Sequence, residues 1–344
     1  MNLHFRHFTG ILLLLTVTAT FPWYEAPANS SAYSNYSDPN GLPINSLLPF
    51  FQSINYSPEN ALQSDSVIIP LKRAGRLLLI EAVIDNETGN LVFDTGASEL
   101  IFNSTYFRNH SRSVAERSNG INGSIGSVEQ TTIDKIEFAG LTYKKVKVDL
   151  TNLGHIENRR GIKILGLIGF NMMKDFEIII DAKNNQLKLY RIDNAGKRIS
   201  ASKSDFKPDH SQKIWIGGNI VFLEGIIGAK KLNFCFDTGA ETNVISSYSN
   251  KNILNTISIT RRAGLSGAGS AGREVLYGKM NDFSIGNKQI KGMETIISNL
   301  ESLSDAYGTK IDGILGFNFM EQGILCINFA KKQFCIQFTK GEAK

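Results

Sequence analysis

The stretch Leu91-Val92-Phe93-Asp94-Thr95-Gly96-Ala97 recurs 143 residues later (237 − 94) as Phe234-Cys235-Phe236-Asp237-Thr238-Gly239-Ala240. The match extends well beyond these seven positions. From Ile80 through Ser104 the two copies align without a gap, so that Glu81 meets Glu224, Ile84 meets Ile227, Asn90 meets Asn233 and Phe93 meets Phe236. A second pair of segments follows, Leu167-Ile168-Gly169-Phe170-Asn171 and Ile314-Leu315-Gly316-Phe317-Asn318, at an offset of 147 (316 − 169). Only four residues of drift separate the two offsets, so the whole stretch is duplicated and the chain of 344 residues holds two similar lobes.

Each lobe reads as strands. Apolar runs of four to eight residues alternate with Gly, Asn and Asp turns, and Phe (21) and Gly (31) are abundant against 8 Pro. Glu87-Thr88-Gly89-Asn90 has the composition of a hairpin turn. Helical patterning is limited to a turn or two near Asn171 to Phe176 and Asn318 to Gln322. Each half closes with a strand, a polar turn and a second strand, ending in Leu187-Lys188-Leu189 and Phe334-Cys335-Ile336. The expected organisation is an N-terminal lobe over 66–192, a Lys/Ser/Asp-rich linker over 193–209 and a C-terminal lobe over 210–340.

Residues 1–19 read as a secretory signal. Arg6 supplies the positive charge, residues 11–17 are apolar, and Val17-Thr18-Ala19 offers small residues for cleavage. The apolar run is shorter than the ~20 residues a membrane span needs, so no stable span is expected. The alternative is a strand at the start of a domain. Residues 20–65, rich in Ser, Asn, Tyr and Pro, read as a polar leader or arm. A secreted or periplasmic location follows from the signal.

Composition sets aside several classes. Charged residues are 20% and the net charge is +5, but Lys and Arg are scattered among acids with no basic stripe, so nucleic acid is not an expected partner. The five His are dispersed and no Cys/His cluster has ligand spacing, so neither metal nor other cofactor is expected. Gly267-Ala268-Gly269-Ser270-Ala271-Gly272 matches a dinucleotide fingerprint, but Glu274-Val275-Leu276-Tyr277 behind it reads as strand where the fingerprint needs a helix. Of the three cysteines, Cys235 reads as a core hydrophobe. If Asn328 faces Gln333 across a turn at Ala330-Lys331-Lys332, Cys326 faces Cys335, and both a disulfide and two reduced thiols fit.

Two Asp-Thr-Gly triplets at repeat-equivalent positions, each led by an apolar strand and followed downstream by an apolar-apolar-Gly segment, resemble the aspartic proteases. The Ala after each triplet and the short lobes look most like the retropepsins and their single-chain relatives, over residues 66 to 340. The resemblance implies an all-β fold of two pseudo-twofold-related β-barrel lobes with the active site in the cleft between them. It implies a monomer acting as a fused dimer, and a polypeptide substrate. Asp94 and Asp237 would be the catalytic pair, since two carboxylates held close cannot both ionise and so share one proton. Gly96 and Gly239 would turn the backbone toward them, and Thr95 and Thr238 would grip each other across the pseudo-twofold axis. Gly-rich stretches around Gly123 and Gly126, and around Gly267 and Gly269, would be substrate-covering flaps, with plain surface loops as the alternative.

Ala97 and Ala240 cannot donate a hydrogen bond to the carboxylates, which implies raised pKa values and a mildly acidic to near-neutral optimum. Glu241, if turned inward, would add to that rise. The rival reading is a catalytically silent peptide-binding or scaffold protein on the same fold.

Overall fold

A computed structural model describes residues 16–18, 65–97, 100–111, 113–114, 119–120, 123–124, 129–199, 205–217, 220–266 and 273–339. It is built almost wholly of strands, in two lobes joined by a shared sheet.

In the N-terminal lobe, Leu77–Ile84 and Glu87–Phe93 form the hairpin that carries Asp94. Its turn lies at Asp85 and Asn86, both with left-handed backbone (φ 46° and 72°), and not at the expected Glu87-Thr88-Gly89-Asn90, which is strand. Asp and Asn tolerate positive φ at both centres of a tight hairpin turn. Gly89 serves packing instead, because a Cβ there would strike the Leu165 side chain. Asp85 also accepts the amides of Asp134 (3.1 Å) and Lys135 (2.7 Å), tying the turn to a neighbouring strand.

Leu91, Val92 and Phe93 are fully buried because this strand lies inside the lobe, flanked by Leu77–Ile84 on one side and, in parallel, by Ile164–Ile168 on the other. The sheet runs on through Ile101–Asn103, Leu141–Thr151 and Glu129–Phe138, and the last pairs back onto Leu77–Ile84, closing a barrel. The C-terminal lobe repeats the plan. Ile220–Ile227 pairs with Lys230–Phe236, and Lys230–Phe236 runs parallel to Gly313–Leu315. A longer hairpin, Ile257–Ser266 with Arg273–Met280, extends that sheet, and Thr16–Thr18 lies along its edge.

Helices are short. Phe170–Met172 and Phe317–Met320 occupy the turns expected there. Two seven-residue helices, Gly154–Arg160 and Glu301–Tyr307, were not foreseen. Each ends on a left-handed glycine, Gly161 and Gly308, themselves 147 residues apart (308 − 161). That αL glycine is the C-terminal stop signal of a helix.

The third sheet unites the lobes, with three strands from each in the order His210–Lys213, Gln333–Phe338, Gly323–Asn328, Phe176–Asp181, Gln186–Arg191, Ser66–Pro70. At its centre Ile178 pairs with Ile327, Ile179 with Cys326 and Ile180 with Leu325. Under the 147-residue offset Ile179 is equivalent to Cys326, and these two are also paired neighbours. The pseudo-twofold axis therefore passes through this pair. Cys326 faces Cys335, and both are free thiols, as is the buried Cys235.

Candidate active site

Asp94 and Asp237 each follow directly on the buried apolar strand of their hairpin, and the fold brings them together on the axis. Each begins a turn held from below. The Asp94 amide donates to the Ile168 carbonyl (3.0 Å) and the Asp237 amide to the Leu315 carbonyl (3.0 Å). The glycines of the apolar-apolar-Gly segments lie against the turns themselves. A Cβ on Gly169 would enter the Ala97 carbonyl oxygen, and one on Gly316 that of Ala240.

The Gly96 amide donates to Asp94 Oδ1 (2.9 Å) and the Gly239 amide to Asp237 Oδ1 (2.8 Å). Each glycine also faces the other lobe's aspartate. A Cβ on Gly96 would sit 2.5 Å from Asp237 Cγ, and one on Gly239 equally close to Asp94 Cγ. No residue with a side chain lets the carboxylates approach this way.

The threonines fix the approach. Thr95 N–H donates to Thr238 Oγ1 (3.0 Å) and Thr238 N–H to Thr95 Oγ1 (2.9 Å). The Thr95 hydroxyl then donates to the Phe236 carbonyl (3.0 Å), and the Thr238 hydroxyl to that of Phe93 (2.7 Å). Four hydrogen bonds thus cross between lobes directly beneath the carboxylates, in a region sealed from solvent.

Both aspartates are fully buried, and the Oδ2 of each has no hydrogen-bond partner among the protein groups. Burial is the largest influence on both. It pushes Asp94 from an ordinary 3.8 up to about 7, against hydrogen bonds from Asp237, Gly96 and Ala97 that pull it back. Asp237 is raised well above its ordinary value by burial first, then by the Asp94 charge and by its own hydrogen bond to Asp94. The two therefore share protons as one unit. The direction matches the expectation from Ala97 and Ala240, but the leading cause is burial rather than a missing donor.

A stability consequence follows from the sign. The folded pair keeps protons that the unfolded chain releases near pH 4, so the stabilisation is full below pH 4 and is lost as pH rises through 7. Asp94→Asn, neutral at every pH, is expected to raise stability at pH 8 by on the order of 2–4 kcal/mol. Melting curves at pH 4 and pH 8 check this; the gain at pH 8 should vanish at pH 4.

Glu241 does not turn toward the pair. Its carboxylate binds the Arg160 guanidinium, from the end of the Gly154–Arg160 helix in the other lobe, with side chains only 17% and 10% exposed. Arg76 reaches across beside it, to the Glu241 carbonyl (3.2 Å), Thr242 Oγ1 (3.4 Å), Asn318 Oδ1 (3.5 Å) and Glu294 (2.8 Å). Neither arginine is singled out by the sequence patterns. The one pointer is the αL glycine pair 161/308, which marks the helix carrying Arg160.

Among the flap candidates, Gly123 lies in a two-residue strand, Gly123–Ser124, paired with Asn119–Gly120. Gly126, Gly267 and Gly269 lie outside the described residues. The strands on either side of 267–272 form the Ile257–Ser266/Arg273–Met280 hairpin, so Glu274 to Tyr277 is strand and the dinucleotide fingerprint has no helix behind it.

The aspartyl protease family profile matches residues 80–172 and 223–319, one copy in each lobe and more than half the chain together. Among solved structures the chain is similar to the crystal structure of the aspartic proteinase from Irpex lacteus, at 12% identity and a TM-score of 0.47, over 81% of this chain and 98% of that one. No curated protein matches it. With both Asp-Thr-Gly turns inside the matched segments, the chain belongs to the aspartyl protease family.

Proposed function

We propose that this protein is an aspartic endopeptidase that hydrolyses peptide bonds with a water activated between Asp94 and Asp237. The observation that supports it most is the paired, buried carboxylates, each held by its own glycine amide. The ionised member takes a proton from water as the oxygen attacks the amide carbon. The protonated member gives its proton to the carbonyl oxygen, forming a neutral diol. As the C–N bond breaks, the carboxyl that took the water's proton passes it to the leaving nitrogen while a diol hydroxyl gives its proton to the other carboxylate, so the pair holds one proton throughout. Burial strengthens each of these interactions by excluding water.

The duplication supports a one-chain version of the retropepsin arrangement, with the long hairpin Ile257–Ser266/Arg273–Met280 taking substrate as an added strand. Residues 1–19 support export, with 20–65 as the leader of the exported chain.

The test is a denatured-protein digest over pH 3–8 in water enriched in oxygen-18. New C-termini carrying one heavy oxygen, with a bell-shaped profile peaking at mildly acidic to near-neutral pH, are the expected result. A peak near pH 2 refutes the raised carboxylates. Bound but uncut peptide at every pH refutes the endopeptidase and favours a silent scaffold.

A further inference from the structure

The group of charges around Glu241, four residues past Asp237, holds four guanidiniums against two carboxylates. Glu241 is committed to Arg160 and Glu294 to Arg76. Two further guanidiniums stand in the same group. Arg159 adjoins Arg160 at the helix end, and its charge acts on the Glu241 carboxylate. Arg261, on the long hairpin, lies over the Tyr277 ring at 4.5 Å. Neither has an ion-pair partner among the described residues.

Tyr277 lies under the Arg261 guanidinium. Its ring is 5% exposed, and its hydroxyl is sealed from solvent with no hydrogen-bond partner. An orphaned buried hydroxyl is costly, and native structures rarely keep one without a use. The hydroxyl feels the charges of Arg261, Glu241, Arg159 and Arg76, so it lies within their group. A neutral donor flanked by unpaired guanidiniums matches a carboxylate, which accepts two or more such bonds.

The mirror half-site is chemically different. Under the 147-residue offset Arg159 becomes Ala306 and Arg160 becomes Tyr307. Tyr307 packs edge-on to Phe222 (6.3 Å), which stacks on Trp215 (4.1 Å). The two equivalent helix ends therefore differ in chemistry, basic in the N-terminal lobe and aromatic in the C-terminal one.

We propose that Arg159, Arg261 and the Tyr277 hydroxyl form a subsite for an acidic side chain of the substrate, which fixes the direction in which a polypeptide lies across the pseudo-twofold axis. The proposal rests on the endopeptidase reading and names its substrate class: chains with Asp or Glu on one side of the scissile bond and an apolar residue on the other. The three groups come from the N-lobe helix and the long hairpin of the C-terminal lobe, and so assemble only when both lobes are in place.

The test has two stages, both on the full-length protein. A proteome-derived peptide library is digested and the cut sites aligned; Asp and Glu should be enriched at one position, on one side only. A peptide pair differing only by Glu or Gln at that position, each amidated at its C-terminus, then gives a kcat/KM ratio. The expected ratio is about tenfold or more in favour of Glu. It should collapse toward one in Arg159→Gln/Arg261→Gln and fall in Tyr277→Phe. A Tyr277 with a merely structural role predicts an unchanged ratio in the phenylalanine variant. Cuts with no acidic enrichment overturn the subsite and leave the endopeptidase standing. Enrichment only near a free C-terminus assigns the site to a terminal carboxylate and overturns the side-chain claim. No cuts at all overturn both.

Discussion

Replacing Asp237 by Asn is expected to lower kcat for peptide hydrolysis by about a thousandfold or more. The amide can neither be ionised nor give up a proton at neutral pH, so the pair loses the state with one proton between two carboxylates. Asp94→Asn should cost a similar factor, because the pseudo-twofold places the two residues in equivalent positions. The double variant should be little worse than either single one, since members of one catalytic unit are not additive. The cause is separable from misfolding. Each single variant removes a like-charge conflict between buried groups and should melt no lower than the wild type at pH 7. Turnover and melting temperature measured on the same preparations decide it, and undiminished hydrolysis by both variants would refute the assignment.

Thr95→Val should cost about 2–6 kcal/mol of stability. Valine matches the shape but removes an oxygen that serves both lobes, accepting from the Thr238 amide and donating to the Phe236 carbonyl. Both partners would be left unsatisfied in the driest part of the molecule, at roughly 1–3 kcal/mol each. Thr95→Ser keeps the hydroxyl and should recover most of the loss. Thr238→Val should behave likewise, and the double variant should cost less than the sum, because the two hydroxyls belong to one network. Urea unfolding of the four variants against the wild type gives these numbers. A loss below about 1 kcal/mol for Thr95→Val would show that the crossing hydrogen bonds do not hold the lobes in register.

Much of this was legible in the sequence because duplication carries long-range information. Matching Phe93-Asp94-Thr95-Gly96 to Phe236-Asp237-Thr238-Gly239 states that two distant segments occupy equivalent places, which no single hydrophobic run can state. The apolar runs before each aspartate gave the strands directly, since residues buried on both faces need no alternation. The first hairpin turn was displaced because Thr-Gly resembles a turn, while the real one at Asp85 and Asn86 relies on side chains that tolerate positive φ. The helices 154–160 and 301–307 are two turns long, too short for periodicity to show. Arg160 and Glu241 lie 81 residues apart and in different lobes, a relation that the repeat does not encode because the mirror residue is tyrosine. The dominance of burial in the carboxylate shifts is likewise a property of the assembled lobes.

The sheet that joins the lobes has one more consequence. Its central pairing, Ile179 with Cys326, is what two identical half-length chains would form by collision, yet here both strands belong to one molecule. Formation of the aspartate pair is then a first-order event, set by an effective local concentration rather than by how much protein is present. Dilution, which empties a two-chain site by mass action, leaves this one intact. Freed from having to match itself, each half can hold a different residue at the same place, as the arginine and tyrosine at 160 and 307 already do.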